Sequence, residues 1–218
     1  LHFTNLSLSE NVENQLVAWI ASIAEDSDNN ILLGLNGGGV KAFDLVSRRL
    51  SCYKTEIIDN RIQSLLFDSR GRLWIGSWED GIEVYDPETG NSIHHKAGTG
   101  NGDLRHDHIA AIKEDAEGNV WIATDKGLSV LHRDKNAFAR GNFVTYQHEE
   151  NSANSLLTNS IKALYFDSKQ RLWAGSYFGG INIYDKDATR FKLVRSKTQH
   201  PNSLIHNNVT AFAGDKMR

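Results

Sequence analysis

Four aspartates recur along the chain, and they are the first residues to consider for chemistry because paired carboxylates are the usual acid and base of sugar-cleaving enzymes. They are Asp26, Asp68, Asp115 and Asp167. A catalytic pair needs two carboxylates in different environments at one place, whereas these follow one another at steps of 42, 47 and 52 residues. The regular spacing indicates structural turn residues, and no catalytic residue is predicted.

Two groups of side chains have metal-binding atoms without the spacing of a metal site. Asp26, Asp28 and Asn30 begin like a calcium loop, but Ile31 replaces the loop's glycine and Gly37 its last acidic ligand. Four histidines with zinc-binding nitrogens flank a glycine-rich connector, and histidines in an exposed loop are more often solvated. They are His94, His95, His106 and His108. We predict no metal and no cofactor.

Composition excludes several classes of function. Cys52 is the only cysteine, so the chain has no internal disulfide and no thiol redox pair. A net charge of −3 without a cluster of Lys and Arg argues against a nucleic-acid partner. No apolar run approaches the length of a membrane helix, so we expect contact with a membrane only through other parts of a longer protein.

Aromatic residues beside charged ones are better candidates for function. Trp78 precedes Glu79 and Asp80, and Tyr177 precedes Phe178. Aromatic rings stack on sugar rings while carboxylates accept hydrogen bonds from sugar hydroxyls, which favours an oligosaccharide or another small ligand. The alternative, that these rings pack against neighbouring connectors, stays open. The candidate ligand-binding residues are Asn36, Arg61, Trp78, Glu79, Asp80, Asp125, Lys126, Tyr177 and Phe178.

Short strands must position these residues, and the pattern is clearest between residues 62 and 86. Apolar, β-branched and aromatic residues bounded by Gly, Asp and Ser predict strands at 62–67, 72–77 and 81–85. Asp68 can accept hydrogen bonds from nearby backbone N–H groups and Gly71 can supply a positive φ, which predicts a hairpin turn. Trp74 and its neighbours point to opposite faces, so we expect the sheet to lie between two others.

Three other segments repeat this pattern, at 20–44, 109–131 and 161–185. In every copy an apolar residue stands six places after the turn aspartate, namely Leu32, Trp74, Trp121 and Trp173. Repeats of this length and strand content are typical of propeller blades. We predict an all-β fold, a β-propeller fragment with four complete four-stranded antiparallel blades plus one strand of a flanking blade at each end. The predicted blades are 16–54, 60–96, 108–147 and 159–196, with flanking strands at 1–6 and 207–218.

Blade geometry places the candidate residues on one face, because loops between second and third strands share a face with the connectors between blades. The flanking strands would leave one blade half complete, with unpaired strand edges. We therefore expect a piece of a longer propeller. If this piece is ordered alone, we expect an open arc whose exposed flanks pair with another copy or are buried in a crystal contact.

Three stretches resemble the two-component regulator propeller repeat. They are SLLTNSIKALYFDSKQRLWAGSYFGGINIYD from Ser155, SLIHNNVTAFAGD from Ser203 and DHIAAIKEDAEGNVWIATDKGLSVL from Asp107. The shared features are a Ser-Leu and Asn lead-in, an Asp turn, a Leu-Trp-Ile-Gly-Thr-like strand and a glycine before the next strand. Asn29 and Gln170 depart from the pattern by standing where glycine supplies the turn, and Gln170 should cost about 1 kcal/mol there.

The resemblance implies a function as well as a fold. Such propellers are similar to the extracytoplasmic sensing regions of bacterial membrane receptors. The output domain of these receptors is a histidine kinase or a GGDEF-type diguanylate cyclase. Many of these receptors are held to respond to oligosaccharides. The resemblance implies a non-enzymatic, periplasmic part of an inner-membrane receptor, with other propeller blades or a second copy as partner. The alternatives are a non-catalytic interaction or dimerisation propeller and, less favoured, a propeller glycan hydrolase or lyase.

Overall fold

The fold consists of four β-sheets with the strand order of propeller blades. The computed structural model describes residues 19–53, 55–57, 59–152, 154–186, 190–196 and 203–214. These residues form sixteen strands and contain no helix, and so none with the length and apolar character to cross a membrane. Each sheet contains four consecutive antiparallel strands. The predicted all-β class with four complete blades is confirmed.

We number the sheets as blades 1 to 4 in chain order. Blade 1 contains β1 (Trp19–Glu25), β2 (Ile31–Asn36), β3 (Gly39–Phe43) and β4 (Leu50–Cys52). Blade 2 contains β5 (Ile62–Phe67), β6 (Leu73–Ser77), β7 (Ile82–Tyr85) and β8 (Ser92–His95). Blade 3 contains β9 (Ile109–Glu114), β10 (Val120–Thr124), β11 (Gly127–Leu131) and β12 (Phe143–Tyr146). Blade 4 contains β13 (Ile161–Phe166), β14 (Leu172–Ser176), β15 (Gly180–Asp185) and β16 (Arg190–Val194).

The hydrophobic core lies between the blades. In β6, Leu73, Trp74 and Ile75 are all fully buried although they point alternately to opposite faces of the sheet. The first strands of neighbouring blades lie side by side, β1 against β5, β5 against β9 and β9 against β13. Blade 2 is therefore covered on both faces, as predicted.

Small residues in the second strand let the next blade approach closely. A Cβ atom at Gly76 would lie 2.5 Å from Ile109 Cγ2, and one at Gly34 would lie 2.8 Å from Ile62 Cγ2. Ala123 stands at the equivalent position of blade 3. At each of these junctions the first strand of one blade packs onto the backbone of the blade before it.

The aspartate fixes the turn between the first two strands of each blade. In blade 2, Asp68 Oδ1 accepts hydrogen bonds from the N–H groups of Arg70 and Arg72, both at 3.0 Å. Gly71 has a φ of +76°. Asp68 Oδ2 accepts a hydrogen bond from the Trp74 indole at 2.8 Å, and blades 3 and 4 repeat this bond at 2.9 Å. In blades 2, 3 and 4 the indole bond explains the six-residue spacing between the aspartate and the tryptophan.

Within the described part of the chain, four residues other than glycine adopt a positive φ. Asn29 and Gln170 do so at the aspartate turns, with φ of +62° and +58°, where the sequence predicted that they replace glycine. Arg48 and Phe178 do so elsewhere, both with φ of +56°. Arg48 lies in the β3–β4 loop and Phe178 in the β14–β15 loop.

Two strands of blade 2 begin one residue later than predicted. β6 begins at Leu73 instead of Arg72, because the Arg72 N–H is hydrogen-bonded within the turn. β7 begins at Ile82 instead of Gly81, because the Gly81 N–H donates to the Asp107 carbonyl in the connector to blade 3.

The flanking strands are described only in part. The one predicted at 1–6 lies outside the described residues. The one predicted at 207–218 is described as far as residue 214. Residues 207–214 do not form a strand, because no second strand lies beside them in the described part of the chain. Val209 nevertheless sits as a first strand would: its N–H donates to the Ser176 carbonyl at 3.2 Å, and its side chain covers Gly175.

The first strand of blade 1 exposes apolar side chains whose equivalents in the other blades are buried. Ile20 and Ile23 of β1 correspond in register to Ile62 and Leu65 of β5. Ile23 is 61% exposed, whereas Leu65 is 6% exposed. Trp19 is exposed next to them. We call Trp19, Ile20 and Ile23 the blade 1 flank, which has the side chains of a blade junction.

Candidate functional site

The candidate residues lie on one face of the blades, which we call the loop face. It contains the loops between second and third strands and the connectors between blades. Backbone hydrogen bonds of 2.6 to 2.9 Å join each of these loops to the connector that follows its blade. In every case a glycine N–H donates to a connector carbonyl. The pairs are Gly39 with Asn60, Gly81 with Asp107, Gly127 with Asn159 and Gly180 with Asn207.

At the junction of blades 1 and 2, Arg61 lies between two carboxylates. Its Nε donates to Asp59 Oδ1 at 2.9 Å, and its Nη2 donates to Glu79 Oε2 at 2.5 Å. Burial acts to raise the pKa of Asp59, but hydrogen bonds from Arg61 and the Glu79 N–H outweigh it, so the pKa is lowered. Asn36 forms a β-bridge with Arg61. The structure therefore brings Asn36, Arg61 and Glu79 together.

A second group of side chains connects blades 2, 3 and 4. The Trp78 and His108 rings have centroids 4.3 Å apart. His108 Nδ1 lies 2.5 Å from Asp125 Oδ2, and Asp125 Oδ1 accepts hydrogen bonds from Ser160 Oγ and Lys162 Nζ, both at 2.6 Å. Trp78 belongs to a blade 2 loop, Asp125 to a blade 3 loop and Lys162 to β13. One carboxylate thus links side chains of adjacent blades.

The charges of this group follow from its contacts. Burial acts to raise the pKa of Asp125, but the hydrogen bonds from His108, Lys162 and Ser160 outweigh it and hold the pKa well below its usual range. Burial lowers the pKa of His108, although Asp125 opposes this change. At neutral pH, Asp125 is therefore ionised and His108 is mainly neutral, donating its Nδ1 proton to Asp125.

Aromatic residues continue the group into the β14–β15 loop. Lys162 Nζ lies 6.0 Å from the Tyr177 ring centroid. The Tyr177 and Phe178 rings meet edge to face at 4.3 Å, and Phe178 lies 5.9 Å from the His206 ring. Trp78, Tyr177 and Phe178 are 40%, 47% and 58% exposed. We call the following six residues the loop-face row: Trp78, His108, Asp125, Lys162, Tyr177 and Phe178.

Two other candidates lie outside the row. Asp80 is buried, its carboxylate lies 2.6 Å from Lys96 Nζ, and its backbone carbonyl contacts the His94 ring. Asp80 therefore joins the β6–β7 loop to the end of blade 2. Lys126 is exposed beside Asp125, and its N–H donates to Thr124 Oγ1 at 3.1 Å.

The metal-donor residues have other contacts. His95 hydrogen-bonds to a backbone carbonyl at 2.8 Å, and His106 Nδ1 accepts a backbone N–H at 3.0 Å. Asp26 Oδ1 accepts the N–H groups of Asp28 and Asn30 and is a turn residue. Within the described ranges, no three His, Cys, Asp or Glu side chains are grouped as metal ligands would be.

Four residues of the site were not among the predicted ligand-binding residues, namely Asp59, His108, Ser160 and Lys162. They lie at or just before the first strand of a blade. The sequence marks this position by a polar residue directly before the apolar residues of that strand. Arg61, His108 and Ser160 each directly precede a first strand. A polar residue there projects onto the loop face.

Family comparison finds repeats at the same places. Residues 56–79, 103–126 and 155–178 match the family model of the two component regulator propeller. Each match runs from a connector through the first strand and the aspartate turn to the loop face. The matches end at Glu79, Lys126 and Phe178.

Similar proteins include a histidine kinase, an extracellular domain of a two component system and a lyase. Histidine kinase P4 of Formosa agariphila is 25% identical over 187 residues, which are 82% of this chain and 12% of that protein. A structure named as the extracellular domain of a hybrid two component system of B. thetaiotaomicron has a TM-score of 0.66 and 22% identity, covering 84% of this chain and 24% of its own. A virginiamycin B lyase of Staphylococcus aureus has a TM-score of 0.63 and 12% identity, covering 87% and 59%. At these identities the two structures show a shared propeller fold. The chain spans 12% of the histidine kinase and 24% of the extracellular domain.

Proposed function

We propose that this chain, which carries repeats of the two-component regulator propeller family, is part of the extracytoplasmic ligand-sensing propeller of a bacterial signalling receptor. The observation that carries the proposal is the loop-face row, where exposed rings and a shared carboxylate form one continuous surface over three blades. Side chains of this kind, on loops held by rigid sheets, are typical of binding sites.

We propose an oligosaccharide as the ligand. Trp78 lies at one end of the row and Tyr177 with Phe178 at the other, and all three rings remain exposed. Exposed rings can stack on sugar rings, while Asp125 and Lys162 between them offer hydrogen bonds to sugar hydroxyls. Aromatic groups on separate blades suit a ligand with several sugar rings.

We also propose that the parent protein is an inner-membrane receptor with this propeller in the periplasm and a histidine kinase or diguanylate cyclase output. The similarity to the F. agariphila histidine kinase and to the B. thetaiotaomicron extracellular domain supports this location. A ligand shifts such a receptor between two arrangements only if it binds one of them more tightly. A ligand along the row contacts three blades. Its affinity therefore depends on the positions of these blades relative to one another.

Calorimetric titration of the purified chain with cello-, xylo-, manno-, chito- and oligogalacturonide series of increasing length tests the ligand. We expect one series to bind, and Trp78→Ala and Tyr177→Ala each to weaken it at least tenfold with unchanged melting temperature. Val46→Ala, in the exposed β3–β4 loop at the opposite end of blade 1, is the matched control and should bind normally. Lower melting temperatures with normal binding would assign both rings to packing, and no binding by any series would contradict the ligand class.

The blade 1 flank favours a second candidate, a dimerisation propeller without a ligand. Its exposed Ile20 and Ile23 have the register of buried junction residues, so a second copy could cover them. Light scattering after gel filtration distinguishes the two functions. A dimer that Ile23→Asp abolishes and Val46→Asp leaves intact would support dimerisation, whereas a monomeric wild type would contradict it.

A catalytic function is a weaker alternative. The His108–Asp125 pair resembles an oriented general base, but His108 is buried beneath the Trp78 ring. We propose that the chain binds its ligand without turnover. Chromatographic detection of product from any sugar of the panel, abolished by one Asp or Glu substitution, would overturn this proposal.

A further inference from the structure

The β14–β15 loop holds an aromatic residue in a backbone conformation that suits glycine. Phe178 has a φ of +56°. The strand pair Ser176 and Gly180 closes this loop, and the pair Leu35 and Gly39 closes the equivalent loop of blade 1. Phe178 therefore corresponds to Gly37, whose φ is +99°. Blade 1 therefore builds the equivalent loop with glycine at this position.

Folding gains little from a phenylalanine here. A positive φ is unfavourable for a bulky residue with a Cβ atom, and the ring is more exposed than buried. Its ring contacts are with Tyr177 and His206, which are both exposed. Phe178 is not a member of the hydrophobic clusters formed by the described residues.

The loop is fixed at both of its ends. The Tyr177 N–H donates to the Ser160 carbonyl at 2.9 Å, and the Gly180 N–H donates to the Asn207 carbonyl at 2.6 Å. Gly179 lies close to Thr158, because a Cβ atom there would be 2.9 Å from Thr158 Oγ1. The Phe178 ring is therefore presented to solvent on an anchored loop, which lowers the entropic cost of binding.

We infer that Phe178 is a ligand-stacking residue, whose strained and exposed position is retained because its ring face binds the apolar face of a sugar ring. This inference rests on the proposed function and deepens it. Backbone strain concentrates at ligand-binding sites. The edge-to-face rings of Phe178 and Tyr177 form an open aromatic corner, and the Lys162 ammonium beside Tyr177 is a donor for the sugar hydroxyls.

Replacing Phe178 with glycine tests the inference, because recognition and packing predict opposite results. For recognition, Phe178→Gly should melt no lower than the wild type and should bind the tightest sugar of the panel at least tenfold more weakly. Phe178→Tyr, which keeps the ring face, should bind as the wild type does. Arg48→Gly is the matched control, because Arg48 has the same φ in a loop on the opposite face; it should neither lower the melting temperature nor change the affinity.

Each other outcome is decisive. A melting temperature of Phe178→Gly below those of the wild type and Arg48→Gly would assign the ring to packing and overturn the inference. Equal sugar affinity of Phe178→Gly and the wild type would overturn it while leaving the proposed function intact. Failure of every sugar to bind the wild type would overturn the proposed ligand and the stacking role together.

Discussion

Replacing Asp68 with alanine should destabilise the protein far more than replacing Asp26, although both residues make the same turn. Asp68 accepts hydrogen bonds from the turn backbone, from the Arg72 guanidinium at 2.7 Å and from the Trp74 indole at 2.8 Å. Among the described residues, the Asp26 carboxylate accepts hydrogen bonds from its own turn alone, because Leu32 stands in blade 1 where blade 2 has Trp74. The two substitutions therefore separate the turn from the buried contacts.

The expected magnitudes follow from burial. Trp74 is fully buried, and an indole N–H left without an acceptor costs about 1–3 kcal/mol. Arg72 is buried as well, and removing the partner of a buried charge costs about 3–5 kcal/mol. The two losses share one carboxylate and do not add fully, so we expect about 4 kcal/mol for Asp68→Ala. For Asp26→Ala, which loses turn hydrogen bonds near solvent, we expect about 1 kcal/mol.

Urea unfolding measures both free energies of unfolding. Tryptophan fluorescence and far-ultraviolet circular dichroism should be recorded together, because coincident transitions are needed before a single free energy is assigned to a chain of repeats. Equal losses for Asp68→Ala and Asp26→Ala would refute the reasoning, since the turn alone would then account for the stability.

Three further changes should have measurable effects. Gly76→Ala places a Cβ atom 2.5 Å from Ile109 Cγ2, so thermal unfolding should show a loss of about 1–3 kcal/mol; full stability would mean that the blades pack less closely. Burial acts to raise the pKa of Asp167, but its hydrogen bonds lower it to about 2. The stabilisation that ionised Asp167 provides is therefore complete above the unfolded pKa of about 3.9. It is lost as the pH falls through the pKa of the folded state. The Asp167→Asn variant should lack this loss of stability when it is unfolded by acid. Asp125 acts to raise the pKa of His108, so Asp125→Asn should lower that pKa in an NMR titration, and an unchanged value would contradict the described contact.

The strands and turns of the blades could be predicted because local chemistry determines them. β5 occupies Ile62–Phe67 as predicted, since its apolar residues and the following aspartate turn lie within a few positions. The one-residue differences at β6 and β7 have causes that the local pattern does not contain. The Gly81 N–H bonds to Asp107 in the connector to another blade, and no pattern within β7 indicates that partner.

The contacts of the site could not be predicted, because they join distant parts of the chain. Asp125 meets His108 from 17 positions earlier and Lys162 from 37 positions later. The first separation spans β9 and β10, and the second spans the rest of blade 3 and the connector to blade 4. Residue type did not decide exposure either. Trp74 is fully buried between blades, whereas Trp78, four positions later, is partly exposed on the loop face. The choice between binding and packing depends on that difference.

The loop-to-connector hydrogen bonds have a consequence for how this surface evolves. They use only main-chain atoms, and the same bond forms under four different loops, which read Asn-Gly-Gly-Gly, Trp-Glu-Asp-Gly, Asp-Lys-Gly and Tyr-Phe-Gly-Gly. Mutation can therefore replace the side chains before the last glycine without removing the bond that joins two blades. The four blades keep this joint although their loop side chains differ, so a change in ligand contacts need not change how the blades are joined.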